Sequence, residues 1–152
     1  MNPEEKLSEH FKASEFQCHD GSPLPDDFAV TICDTVVFLE KLRSDMNALL
    51  RKRTGHPHDV GLVIVSGHRT EKYNRRCGGA KTSRHVSGHA VDVKPTRPYD
   101  DTFSYSDFRE LCERLDRRLP NPYRLGFYSR KGAGAWVHVD CAYGHGGRRW
   151  GS

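Results

Sequence analysis

The sequence predicts an α+β fold, a small and mostly antiparallel sheet packed against two main helices. Three observations point there. Apolar residues recur at helical spacing in two separate stretches, 28–49 and 108–119. Between and after them lie short runs that are apolar or that alternate apolar with polar, the period of a strand. The last two runs, 124–128 and 135–140, are joined by the glycine-containing SRKGAG and read as a β-hairpin.

Taken in chain order, residues 1–25 form an irregular N-terminal strap whose Phe11 and Phe16 pin it to the core. Asp26 and Asp27 are placed to cap the first long helix. Its core stripe is Phe28, Ile32, Val36, Leu39, Leu42, Met46 and Leu49, with Gly55 just beyond its end. GLVIVS at 61–66 is rich in β-branched residues and predicts a buried strand. A short helix over 70–76 follows, then the Gly78-Gly79 break, then HAVDV at 89–93 as a further strand. Ser104 or Ser106 opens the second main helix, and Pro120 and Pro122 stop it.

With 152 residues, 36% of them hydrophobic and 29% charged, the chain is too apolar to be disordered and is expected to form one domain over 1–152. The longest apolar runs, such as LVIV, are far short of a membrane span, so no membrane insertion is expected. MNPEEKLSEHFKASEF lacks the apolar core of a secretion signal. The five cysteines are odd in number and contain no C-x-x-C pair, which argues against a disulfide scaffold and a cysteine-only zinc site. Cys33 and Cys112 are expected in the core. The net charge of +4 would suit a polyanion, but the basic residues are scattered and do not by themselves indicate nucleic acid.

The densest chemistry lies in SRHVSGHAVDV, residues 83–93. His85 and His89 have the i, i+4 spacing of two ligands on a helix, but Ser87-Gly88 and the alternation that follows argue against a helix there. On a strand beginning near His89, Asp92 faces away from His89. His85, in the preceding loop, can fold back toward Asp92 because a glycine permits the turn. WVHVD offers a third donor: Val137 and Val139 face one way, Trp136, His138 and Asp140 the other. A lone strand histidine is more often structural than a ligand, but two His–Asp pairs on neighbouring strands reverse that expectation. Two histidines and a carboxylate suit zinc with one position left open.

S-R-H-V-S-G-H-A-V-D resembles the S-x-H-x-x-G-x-A-x-D signature of the zinc D-alanyl-D-alanine peptidases, a group with a hedgehog-like fold, and W-V-H-V-D resembles its second histidine motif. LSEHFKASEFQC, SGHRTEKYN, GGAKTSRH and RRWG are similar, in that order, to segments of the group's short murein endopeptidases and carboxypeptidases. The resemblance implies zinc ligands at His85, Asp92 and His138. It also implies that Arg69 holds a substrate carboxylate or carbonyl, a task suited to a planar guanidinium.

His68 stands where the subgroup has tyrosine and is expected to form a polar cleft wall. Ser83 is a motif residue expected to hydrogen-bond within its loop beside the substrate. Several branches of the group place an acidic base three residues before the last histidine. Here that position is Ala135, which leaves Asp140 as either proton acceptor or brace for a ligand histidine. His145 follows the site strand closely enough to line the cleft.

The implied function is a zinc peptidase that hydrolyses peptidoglycan stem peptides or crosslinks. It would act as a monomer on the bacterial wall, either as a phage lysis protein made in the cytoplasm without a signal peptide and released at lysis or as a domain of a longer secreted protein. The rival is a non-catalytic, zinc-containing wall-binding or virion module of the same fold.

Overall fold

A computed structural model describes residues 1–129, 134–141 and 149–151. The first helix, α1 (Phe28–Thr54), buries Phe28, Ile32, Val36, Phe38, Leu39, Leu42, Met46 and Leu50, and ends at Gly55 in the left-handed region. The stripe differs from the expected one at its end: Leu50 is fully buried and Leu49 only partly. Cys33 is exposed, because it sits one residue past Ile32 and so turns about 100° off the core face. Neither expected aspartate caps the helix. Asp27 occupies the cap position without a side-chain bond, and Asp26 pairs with the Met1 ammonium at 3.3 Å.

The sheet contains β1 (Leu62–Ser66), β2 (Ala90–Pro95), β3 (Tyr123–Tyr128), β4 (Trp136–Cys141) and β5 (Arg149–Gly151), in the order β1-β2-β4-β3-β5. Three pairings are antiparallel, while β5 runs parallel to β3. The sheet is therefore mixed, and the short β5 was not anticipated. The strand β1, expected to be buried, lies at the sheet edge and leaves Val63 38% exposed. Between β1 and β2 lies the short helix α2 (Glu71–Arg76).

The second main helix, α3 (Tyr105–Arg118), starts at Ser104. The Ser104 hydroxyl accepts the Asp107 N–H while the Asp107 carboxylate accepts the Ser104 N–H, a reciprocal cap. Phe108, Leu111, Cys112 and Leu115 are its buried face. Helix α1 packs against β2 and β4, and α3 against β3 and α1. Val91, Val93, Leu125, Val137 and Val139 meet them, all 0% exposed, so one sheet face is the core. Alternation then sends the intervening side chains to the opposite face.

The N-terminal strap is tied to this core by aromatic contacts. The Phe11 and Phe16 rings lie 6.1 Å apart, and Phe16 lies 5.9 Å from Phe28. The Phe16 carbonyl accepts the His68 N–H at 2.8 Å, which anchors the segment leaving β1.

Candidate metal centre

Antiparallel register assembles most of the site on one rung of the sheet. Ser66 stands opposite Asp92, Asp92 opposite His138, and His138 opposite Gly126. Residues facing each other across strands share a face, so all four point away from the helices. In β5, Trp150 is the partner of Gly126. A Cβ at Gly126 would collide with the Trp150 indole, so glycine lets that ring lie over the strand, 5.0 Å from His138.

His85 arrives from the loop between α2 and β2. That loop closes through Gly88, which has φ +82° and would bring a Cβ within 2.9 Å of Thr31 Oγ1. A substitution there meets both backbone strain and the face of α1. One ligating atom from each of His85, Asp92 and His138 comes within 4.8 Å of the others, and all three residues are buried. His89 takes no part: its Nδ1 meets Ser87 Oγ at 2.8 Å and its carbonyl accepts from Thr35.

The remaining hydrogen bonds fix which nitrogen of each ring faces inward. His85 Nδ1 lies 2.8 Å from the Gly67 carbonyl, which can only accept, so this nitrogen carries the proton and Nε2 offers its lone pair. His85 Nε2 is 3.4 Å from Asp92 Oδ1. His138 Nε2 is 2.8 Å from Asp140 Oδ2, and its Nδ1 is 3.1 Å from Asp92 Oδ1. Both rings are thus oriented by an acceptor behind them, an arrangement common to metal-ligating histidines. The donor set of two imidazoles and a carboxylate fits a divalent metal such as zinc, from its chemistry and its convergence.

Electrostatics reinforce that fit. Burial opposes ionisation of Asp92, but the facing His138 and His85 rings prevail and hold its carboxyl well below the ordinary range. Burial likewise opposes a charge on His138, yet its bonds to Asp140 and Asp92 raise its pKa. Asp140, also opposed by burial, is held low by His138 and by Arg124. The ionised Asp92 carboxylate, set between the two imidazoles, is the group here that attracts a cation.

The trio lines a cleft of about 610 Å³. Arg69 reaches it from the segment after β1, with Nε on Ser66 Oγ at 3.2 Å, one terminal nitrogen on Asn74 Oδ1 at 3.4 Å and the other 3.6 Å from Asp92. Ser83 also lines the cleft, and its hydroxyl accepts the His85 N–H at 3.3 Å. One expectation is corrected by position. His68 does not line the cleft; it is 7% exposed and packs edge-on to Phe28, because it lies on the opposite side of the chain from Arg69. Asp140, expected as proton acceptor or brace, is fully buried behind His138 with both oxygens taken by His138 and Arg124, the position of a brace. His145 lies outside the described residues.

Sequence reasoning passed over Arg84, Arg124 and the aromatic wall of Tyr128, Trp136 and Trp150. Tyr128 and Trp136 stack at 5.5 Å, and the Tyr128 hydroxyl accepts the Trp150 indole N–H at 2.8 Å. The signal for Arg124 was the period of β3, which puts it on the same face as Gly126. Recognising its partner required the pairing of β3 with β4.

A family model described as Peptidase M15 matches residues 9–140. Among solved structures, the crystal structure of the Serratia marcescens L-Ala D-Glu endopeptidase ChiX is similar at 19% sequence identity, with 75% of this chain and 83% of that chain covered and a TM-score of 0.45. No curated protein matches the chain.

Proposed function

This chain belongs to the Peptidase M15 family, a metallopeptidase family, and we propose that it is a zinc-dependent peptidase that hydrolyses peptide bonds of peptidoglycan, in stem peptides or crosslinks. The observation that carries this reading is the convergence of His85, Asp92 and His138 with both imidazoles oriented from behind. His85 through Nε2, Asp92 through a carboxylate oxygen and His138 through Nδ1 would hold the metal. When bound there, zinc supplies Lewis acidity, polarising a carbonyl and lowering the pKa of a water to roughly 7.

The chain's own groups do the rest. Arg69, held by Ser66 and Asn74, orients a substrate carbonyl or carboxylate and balances the negative charge that develops on attack. Ser83 keeps the His85 loop in place at the cleft wall. Asp140 is a positioning residue: its carboxylate accepts a hydrogen bond from the His138 Nε2–H and fixes the ring's tautomer. Ala135 cannot take up a proton, and Asp92 is the one carboxylate among the described cleft residues. Action at the bacterial wall, as part of phage lysis, agrees with the basic balance of the chain.

Mass spectrometry of purified muropeptides incubated with the zinc-loaded protein tests this reading. New fragments that disappear with His138→Ala support a peptidase. Intact muropeptides, with the protein co-sedimenting with cell walls, would replace it with a binding module of the same fold.

A further inference from the structure

We infer that Arg84 and Arg124 form a second anion-binding site in the cleft, which takes a carboxylate of the peptide substrate on the opposite side of the ligand trio from Arg69. The inference rests on the reading of the cleft as a peptide site. Strand order gives the geometry. Arg69 follows the edge strand β1, whereas Arg124 lies on β3, with the ligand-bearing β2 and β4 between them. Arg84 joins Arg124 on the far side through the end of β4, donating from one terminal nitrogen to the Cys141 carbonyl at 2.9 Å.

A count of charges shows what this corner lacks. Arg124 grips Asp140 with two nitrogens, at 2.8 and 2.9 Å. Arg84 Nε lies 3.8 Å from the same carboxylate, too far for a hydrogen bond, and this buried nitrogen has no hydrogen-bond partner among the described residues. The same carboxylate also accepts from His138. One anion therefore serves two guanidinium groups and an imidazole. Among the described residues neither arginine has another ion-pair partner.

Both arginines line the cleft while their side chains are only 20% and 17% exposed. A cation largely withdrawn from water and short of anions favours binding one, and a planar guanidinium favours a carboxylate. Its conformation is already fixed by Cys141 and Asp140, so little rotamer entropy remains to be lost on binding. Arg69 differs in having a carboxylate that neither of the other two arginines pairs with, Asp92 at 3.6 Å.

The test uses zinc-loaded protein and the stem tetrapeptide L-Ala-γ-D-Glu-meso-diaminopimelate-D-Ala, with three analogues that each carry one carboxylate as the amide. Affinity is measured by titration calorimetry, and kcat/KM wherever cleavage occurs. In the wild type, one amidation weakens binding by about tenfold or more, the scale of a lost charge-assisted hydrogen bond. In Arg84→Gln the parent peptide falls to the level of that amide and the difference disappears, with zinc content unchanged by elemental analysis. Equal binding of all four peptides, no binding of any, or an equal loss for all four in Arg84→Gln overturns the inference; the last result would leave the pair as a brace for Asp140. Discrimination in binding, with no new fragments from crosslinked or pentapeptide muropeptides either, would sink the proposed peptidase activity and leave this site standing. Cleavage without discrimination would do the reverse.

Discussion

On one face of the sheet Val91, Val93, Leu125, Val137 and Val139 are sealed beneath α1 and α3, while the other face of the same strands carries Asp92, Arg124, His138 and Asp140. Neighbours along each strand thus belong to two environments. The apolar face is non-directional: any side chains of the right volume that exclude water contribute to it. The polar face is directional, because each histidine has one nitrogen held from behind and one aimed at its partners. Substitutions on the two faces should therefore fail in different ways, one by loss of the fold and the other by loss of the metal or substrate alone.

The largest expected effect lies on the apolar face. Phe127 is 1% exposed and also carries the Arg109 guanidinium 4.1 Å from its ring centre. Phe127→Ala should cost about 3–5 kcal/mol in urea unfolding, and metal binding should vanish only together with the fold. Folded protein that fails to bind zinc would break the separation of the two faces.

On the polar face, Asp140→Asn should lower zinc affinity about 10–100-fold, the usual effect of removing a ligand's supporting carboxylate. Hydrolysis should return when zinc is saturating. A variant that binds zinc normally yet cannot cleave would place Asp140 in the chemistry itself.

Arg69→Lys should reduce kcat/KM by on the order of tenfold or more, since an ammonium cannot reproduce the fork that spans Ser66, Asn74 and Asp92. Zinc content and melting temperature should hold. Unchanged activity would reduce Arg69 to a structural residue.

The smallest effect is at the start of α3, where Asp107 pairs with Arg53 rather than with the sheet. Asp107 is depressed to about 2, chiefly by its hydrogen bond with Arg53, against partial burial and with help from Ser104. Because the folded pKa lies below the unfolded value of about 3.9, the carboxylate's contribution is complete above that value and is lost as pH falls toward 2. Asp107→Asn should cost about 1 kcal/mol at neutral pH, and the two proteins should converge in acid. A pH-independent gap between their stabilities would show that the cap acts by shape alone.

Much of this was legible in the sequence because two short periods carry it. Alternation separated Asp92 from His89 and His138 from Val137 and Val139, and helical spacing marked the core faces of α1 and α3. What local period does not encode is which strands become neighbours. Three-residue β5 is too short to show any pattern, and its pairing with β3 is what brings Trp150 over Gly126. Arg124 could be seen to face outward, but its grip on Asp140 depends on strand register. GLVIVS reads as buried from composition alone, since nothing within it says that one side has no neighbour. His68 was expected in the cleft wall because it stands where the resembled subgroup has tyrosine, and a motif position does not say which way its side chain turns; here it packs on Phe28.

Elemental analysis of dialysed protein tests the centre of this account most directly, with wild type, His85→Ala and His89→Ala measured side by side. The geometry predicts one zinc per chain in the wild type and in His89→Ala, and none retained by His85→Ala. A loaded His85→Ala beside an empty His89→Ala would contradict the ligand set.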